Sequence, residues 1–188
     1  MDGRHPLPDI SSFSQTLSKL GVSNVTNVVV YDDVGGAIAA RLWWMLRWAR
    51  HESVYILDGG IQAWERKGYL LEKGHVAFEP ASFFISSVRN EWVIETEGIC
   101  DALKEGAVLL DARSEERFLG RSEPIDPVAG HIPGAINIPL FEDAERAVVG
   151  TTYKKKGRYE AIKSGLTFIG PKLTNFLTVI EKHGLKPG

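Results

Sequence analysis

The only cysteine, Cys100, is the first place to look for chemistry, because a thiolate is the most nucleophilic side chain available near neutral pH. It stands in Glu97-Gly98-Ile99-Cys100-Asp101-Ala102-Leu103. Cys100 shares helical spacing with Leu103, adjacent Asp101 disfavours the thiolate, and no glycine-rich anion loop follows. A small buried hydrophobe is the favoured reading. Asp111-Ala112-Arg113 forms an Asp-x-Arg signature at the end of an apolar run. It marks either the mouth of a ligand crevice or an ion pair holding the loop, and the ion pair is favoured. His131, in Gly130-His131-Ile132-Pro133-Gly134, offers a proton carrier in a context that favours a turn role. His5 and His75 lack metal-ligand spacing, and a single cysteine excludes a thiolate cluster or an intrachain disulfide. No metal and no cofactor is expected. Lys154-Lys155-Lys156-Gly157-Arg158 is the densest basic run. Phosphate attraction is one reading. A solvated loop beside Glu160 is the preferred one, so nucleic acid is not an expected partner.

The elements that must position these groups follow from apolar periodicity. Residues 10–20 have helical spacing at Ile10, Phe13, Leu17 and Leu20, with Gly21 suited to end the helix. Residues 28–31 read as a buried strand, 32–36 as a loop, and 37–50 as a helix apolar on most sides, hence mostly buried. Trp43, Trp44 and Trp48 on that helix read as core packing. A second strand, 54–57, turns through Asp58-Gly59-Gly60 into a short helix, 61–66. Residues 75–91 contain Pro80 and no helix, and read as a linker with an edge strand at Phe83-Phe84-Ile85. Then come a helix over 97–104 capped by Thr96, a strand over 107–110, and a helical turn capped by Ser114. Residues 135–139 read as a short strand. Helical patterns cover 142–149 and 171–183, with Pro171 suited to the first helical position and Gly184 to the exit. This alternation of strands and helices predicts an α/β fold with a parallel sheet.

The 188 residues are 44% hydrophobic and 24% charged, with a formal net charge of −2. That balance suits a globular protein and gives no general attraction to nucleic acid or an acidic membrane. The most apolar stretch, 37–49, is broken by Arg41 and Arg47 and is too short to span a bilayer. The polar start of the chain carries no signal core. A soluble, cytoplasmic protein without a membrane partner is the expectation.

Several motifs, taken together and in order, are similar to a known family. His5-Pro6-Leu7-Pro8, the strand and loop at 28–36, Arg41-Leu42-Trp43-Trp44-Met45 and Leu57-Asp58-Gly59-Gly60 resemble the later half of the first domain of tandem-domain thiosulfate/3-mercaptopyruvate sulfurtransferases. Leu110-Asp111-Ala112-Arg113, Arg117-Phe118, Glu123-Pro124 and residues 130–139 resemble the opening half of that family's second domain. Beyond Pro139, residues 142–151, Tyr153-Lys154 and Phe168-Ile169-Gly170-Pro171-Lys172-Leu173 resemble the rhodanese domain of tRNA 2-selenouridine synthase. A hybrid or a truncated chain is therefore the expectation.

The resemblance implies sulfur transfer through a cysteine persulfide in a loop between strand and helix, where backbone N–H groups stabilise negative charge. Asp32 stands in the matching place of the first domain, so no catalytic residue is assigned, and the working loop of the second domain would follow Gly188. The resemblance assigns Arg117 to an anionic sulfur donor, for which a guanidinium is suited. A second arginine expected before the Gly-His-Ile-Pro-Gly turn is absent from Pro124-Ile125-Asp126-Pro127. The expected fold is a rhodanese-like parallel sheet flanked by helices, in two partial domains, 1–74 and 92–188, joined by 75–91. The halves could also close as one permuted sheet or as an intertwined dimer. The expected function is a rhodanese-family sulfurtransferase without its own catalytic cysteine. A protein-interaction module and a sulfur- or selenium-handling part of a tRNA-modifying enzyme are the alternatives.

Overall fold

Asp9 accepts the Ser12 amide at 2.9 Å and so starts the first helix, α1, Ile10–Lys19. Gly21 then takes a φ of +76° and turns the chain out of it. In the computed structural model, which describes residues 5–182, the chain divides into two units, Met1–Glu95 and Thr96–Gly188.

The first unit is built on one strand–helix–strand crossover. β1, Val28–Val30, runs parallel to β2, Val54–Ile56, with Val29 opposite Tyr55. Parallel neighbours need a long connection, and α2, Ala37–Trp48, provides it. A short helix α3, Gly60–Arg66, follows β2. Phe13 and Leu17 of α1 pack with Val30, Ala39, Leu46, Ala49, Val54 and Phe83 into one core. Trp43 donates its indole N–H to the Val54 carbonyl at 3.2 Å, and Trp44 stacks on Trp48.

Two expectations change here. Of α2 only Ala39, Leu46 and Trp48 are fully buried, and Ile38 stays exposed, because a two-stranded sheet is too narrow to cover the helix. Residues 75–91 do not form a detached linker with an edge strand. Phe83 is buried in the core, and its backbone is held by the hydroxyls of Ser14 (2.6 Å) and Ser18 (3.0 Å). Asn24 both donates to and accepts from the Phe84 backbone, at 2.7 and 2.8 Å. Side chains of the helix and its exit loop thus take the place of a strand ladder, a pairing with no period-2 signature.

The second unit opens with a single 3-10 turn, Thr96–Gly98, and α4, Ile99–Lys104. Thr96 lies inside that turn, so Gly98 rather than Thr96 holds the position preceding α4. β3, Leu110–Asp111, pairs in parallel with β4, Ile136–Asn137, and α5, Glu115–Phe118, lies between them. Each strand is shorter than its apolar run because the ladder engages only two residue pairs. Among the described residues β1 pairs with β2 in the first unit and β3 with β4 in the second.

A helical hairpin completes this unit. Glu142 and Glu145 form a capping box at the start of α6, Asp143–Lys156. Gly157, with φ +84° and ψ 177°, separates α6 from α7, Arg158–Lys182. The lysines of the basic run, Lys154, Lys155 and Lys156, therefore form the last turn of α6, where cations suit the carbonyl end of the helix, and Arg158 opens α7. Pro171 sits inside α7 instead of opening a helix. The punctuation that matters is Gly157, whose backbone leaves the helical region. Lys172 returns to α6, meeting Glu145 at 2.5 Å and Glu142 at 3.4 Å. The expected helix end at His183 and Gly184 lies outside the described residues. No described helix is long and apolar enough to cross a membrane.

Candidate functional site

The loop after β1 is the place where the strand-to-helix geometry could stabilise an anion. α2 opens at Gly36, whose φ is +97° and which has no side chain to cap the first turn. The free amides of that turn need an acceptor. Asp32 supplies it. One carboxylate oxygen accepts from Val34 (3.1 Å) and Gly36 (2.7 Å), the other from Ile38 and Ala39 (2.9 Å each). These amides, led by Ala39 and Gly36, hold the Asp32 carboxyl at about 2, against an ordinary 3.8.

The backbone of this loop is pinned from β2's side. Ile61 donates to the Asp32 carbonyl at 3.2 Å, and the Gln62 amide donates to the Asp33 carbonyl at 2.6 Å. Gly60 makes the approach possible: with φ +59°, a Cβ there would lie 2.4 Å from the Asp32 carbonyl oxygen. The loop is a preformed anion cradle occupied by its own carboxylate.

A pH dependence follows from that occupancy. Because the carboxyl is held lower in the folded chain than when unfolded, its contribution is complete above its ordinary value and is lost as pH falls through about 2. An Asp32→Asn variant is expected to lower the stability of the first unit at neutral pH. It should also flatten the decline between about pH 4 and pH 2. Urea titrations at a series of pH values, followed by tryptophan fluorescence, read this directly. An unchanged acid slope in the variant would contradict it.

The second unit has a cleft of about 520 Å³ whose lining includes Asp111, Arg113, Asp126, Gly130, His131 and Ile132. Its charges are spent on one another. Asp111 accepts from Arg113 through both carboxylate oxygens, Oδ1 from Nε at 3.1 Å and Oδ2 from Nη2 at 2.6 Å, and Arg113 also donates to the Gly130 carbonyl at 2.7 Å. The Arg113 guanidinium lowers the Asp111 carboxyl, and Asp111 raises Arg113 in return. Outside the lining, Arg117 donates to Glu123 at 3.1 Å and reaches the lining residue Asp126 at 2.7 Å. The Asp126 amide and Arg117 hold the Glu123 carboxyl at about 2. Three carboxylates thus face two guanidiniums, a poor balance for an anionic ligand.

The sequence-level candidates separate on these grounds. Asp111 and Arg113 form the loop-holding ion pair, and Asn137 adds donations to both backbone carbonyls, at 3.0 and 2.9 Å. His131 stacks on Phe118 with centroids 3.7 Å apart, and its Nδ1 lies 2.7 Å from the Phe118 carbonyl. That is the turn role expected for it. Cys100 is exposed, which corrects its reading as a buried hydrophobe. α4 is six residues long and buries none of them fully. Among the described residues no group of three or more His, Cys, Asp and Glu side chains could hold a metal ion.

Sequence reasoning placed Asp32 correctly on the loop and missed what its carboxylate does there. The signal was present: a helix start at Gly-Gly-Ala without a Ser, Thr, Asp or Asn immediately before it.

Comparison with known proteins adds to this geometry. Residues 1–67 and 98–163 match the rhodanese-like domain. A Pseudomonas aeruginosa protein named "probable 3-mercaptopyruvate sulfurtransferase" is 43% identical over 134 residues, covering 71% of this chain and 47% of its own length. The 3-mercaptopyruvate sulfurtransferase of Mus musculus is 40% identical over 144 residues, covering 73% of this chain and 48% of its own. The crystal structure of SseA from Escherichia coli, described as a 3-mercaptopyruvate sulfotransferase, superposes with a TM-score of 0.56 at 26% identity. That match covers 88% of this chain and 70% of SseA. The chain spans about half the length of the curated relatives it matches.

Proposed function

This chain belongs to the rhodanese-like family of sulfurtransferases, and we propose that its described residues form a rhodanese scaffold that does not itself carry sulfur. The supporting observation is the Asp32 carboxylate filling the four-amide cradle in the first-domain loop, the loop whose counterpart in the family's second domain holds the sulfur-loaded cysteine. A carboxylate cannot form a persulfide, and its charge repels thiosulfate from the same amides. Thiosulfate or 3-mercaptopyruvate is the donor class that the relatives' names suggest.

Arg117 is the donor-contacting residue on this reading only at a cost. Its guanidinium must exchange Asp126 or Glu123 for the ligand, beside a cleft in which Arg113 is already paired with Asp111. Binding of a small anionic donor is correspondingly weak.

The expected result is that purified chain, given thiosulfate and cyanide, forms thiocyanate no faster than a Cys100→Ser variant or buffer. Thiocyanate production abolished by Cys100→Ser would overturn the reading. So would a persulfide mapped by mass spectrometry to Cys100.

A further inference from the structure

The hairpin of the second unit leaves one face of α7 uncovered. Ala161 and Gly165 are buried, and Lys172 ties this side to α6. A neighbouring stripe of large apolar residues stays exposed: Tyr159 by 69%, Ile162 by 47%, Leu166 by 62%, Leu173 by 53% and Leu177 by 57%. A contiguous apolar stripe of this kind marks a contact site.

The spacing of the stripe says what kind. Read from the start of α7, Tyr159, Ile162, Leu166 and Ile169 follow at intervals of three, four and three. Read backward from the end, Ile180, Leu177, Leu173 and Gly170 follow at the same intervals. The pattern mirrors itself about the bond between residues 169 and 170. Such symmetry is what a twofold axis requires, since each residue must meet its mirror position on the other copy. No unrelated partner imposes it.

We propose that α7 pairs with α7 of a second copy of this chain, antiparallel, about a twofold axis between Ile169 and Gly170. Leu166 then packs on Leu173 of the second copy, Ile162 on Leu177, and Tyr159 on Ile180. At the centre Ile169 lies over Gly170 of the second copy. A Cβ on Gly170 would meet nothing within 4 Å in the single chain, so the space Ile169 needs is open. At the ends Arg158 meets Glu181 of the second copy, an opposite-charge pair at flanking positions, as in coiled coils. A parallel pairing would instead set Arg158 on Arg158.

Sedimentation velocity on the full chain tests the proposal. A concentration-dependent dimer is expected, and Leu166→Asp with Leu173→Asp should return it to monomer with an unchanged helical signal in circular dichroism. If that double variant loses helix, the charge pair decides instead. Arg158→Glu should weaken the dimer and Arg158→Glu with Glu181→Arg should restore it. Orientation is read in a Cys100→Ser background with a short bis-maleimide. Gly170→Cys should cross-link between copies, whereas Tyr159→Cys should not, because its two copies lie about 30 Å apart along an antiparallel helix pair. A monomer at every concentration overturns the proposal, including one that instead binds lipid vesicles through this stripe. A dimer indifferent to both substitutions, or one cross-linked equally well at 159, overturns it too.

Discussion

Replacing Asp32 with cysteine is expected to turn an inert loop into one that accepts sulfur. The cradle is already assembled: the amides of Val34, Gly36, Ile38 and Ala39 converge on the side chain at position 32. Gly60 and Gln62 hold the backbone beneath it. A thiolate placed there gains the same donors that now pull the carboxyl to about 2. The introduced thiol should therefore titrate well below the ordinary value of about 8.5. In the loading step the thiolate attacks the outer sulfur of thiosulfate, and a new S–S bond forms. The old one breaks, and sulfite leaves with the electron pair. The product is a cysteine persulfide, whose negative terminal sulfur the amides can stabilise as they stabilise the carboxylate. In a Cys100→Ser background, iodoacetamide alkylation against pH gives the thiol's titration. Mass spectrometry should find one added sulfur atom on the peptide bearing residue 32. A thiol that titrates like a free cysteine, with no adduct after prolonged thiosulfate, would mean the cradle is specific to a carboxylate.

The same loop shows why part of the molecule could be read from the sequence and part could not. The apolar runs at 28–30 and 54–56, with a helix between them, announce a parallel crossover, and the structure has it. Asp32 could be placed because it stands at a fixed distance from β1 and from Gly35-Gly36. Its carboxylate as a cap for α2 was harder to see, because the donors lie two to seven residues downstream and only the loop's fold brings them back. Arg117 shows the complementary limit. The Arg-Phe pair resembles a donor-binding motif, yet Glu123 and Asp126 lie only six and nine residues away in sequence and reach the guanidinium first. Their role depends on a turn held by the Glu123 carboxylate, which accepts the Ile125 and Asp126 amides at 3.0 and 2.9 Å. Local motif matching does not register such a competitor.

Residues 75–91 are hard to read from sequence for a different reason. Strand prediction rests on alternation and on ladder partners, and neither is present where Ser14, Ser18 and Asn24 hold the backbone of Phe83 and Phe84. What orders this segment is Phe83, an aromatic side chain with only 5% of its surface exposed. Its burial also explains why the first unit ends at Glu95 rather than before the segment.

That burial leads to the largest expected loss of stability, at Leu46. Its side chain has no exposed surface, and it lies in the core that α1, α2, both strands of the first unit and Phe83 share. Truncation to alanine removes the apolar transfer energy and leaves a cavity that the surrounding helices can only partly close. Substitutions of this kind cost about 2–5 kcal/mol. A unit of this size typically has about 5–15 kcal/mol in all, so at the middle of both ranges Leu46→Ala should remove about a third of it. The measurement is unusually clean, because all five tryptophans, Trp43, Trp44, Trp48, Trp64 and Trp92, fall within Met1–Glu95. Their fluorescence in a urea titration therefore follows this unit alone. Leu70→Ala is the matched control: the same atoms are deleted from a side chain that is 91% exposed. That change should move the midpoint by no more than about 0.5 kcal/mol equivalent. Equal shifts for the two variants would mean that the packing around Leu46 does not hold the unit together, and that the loop carrying Asp32 is supported by something other than this core.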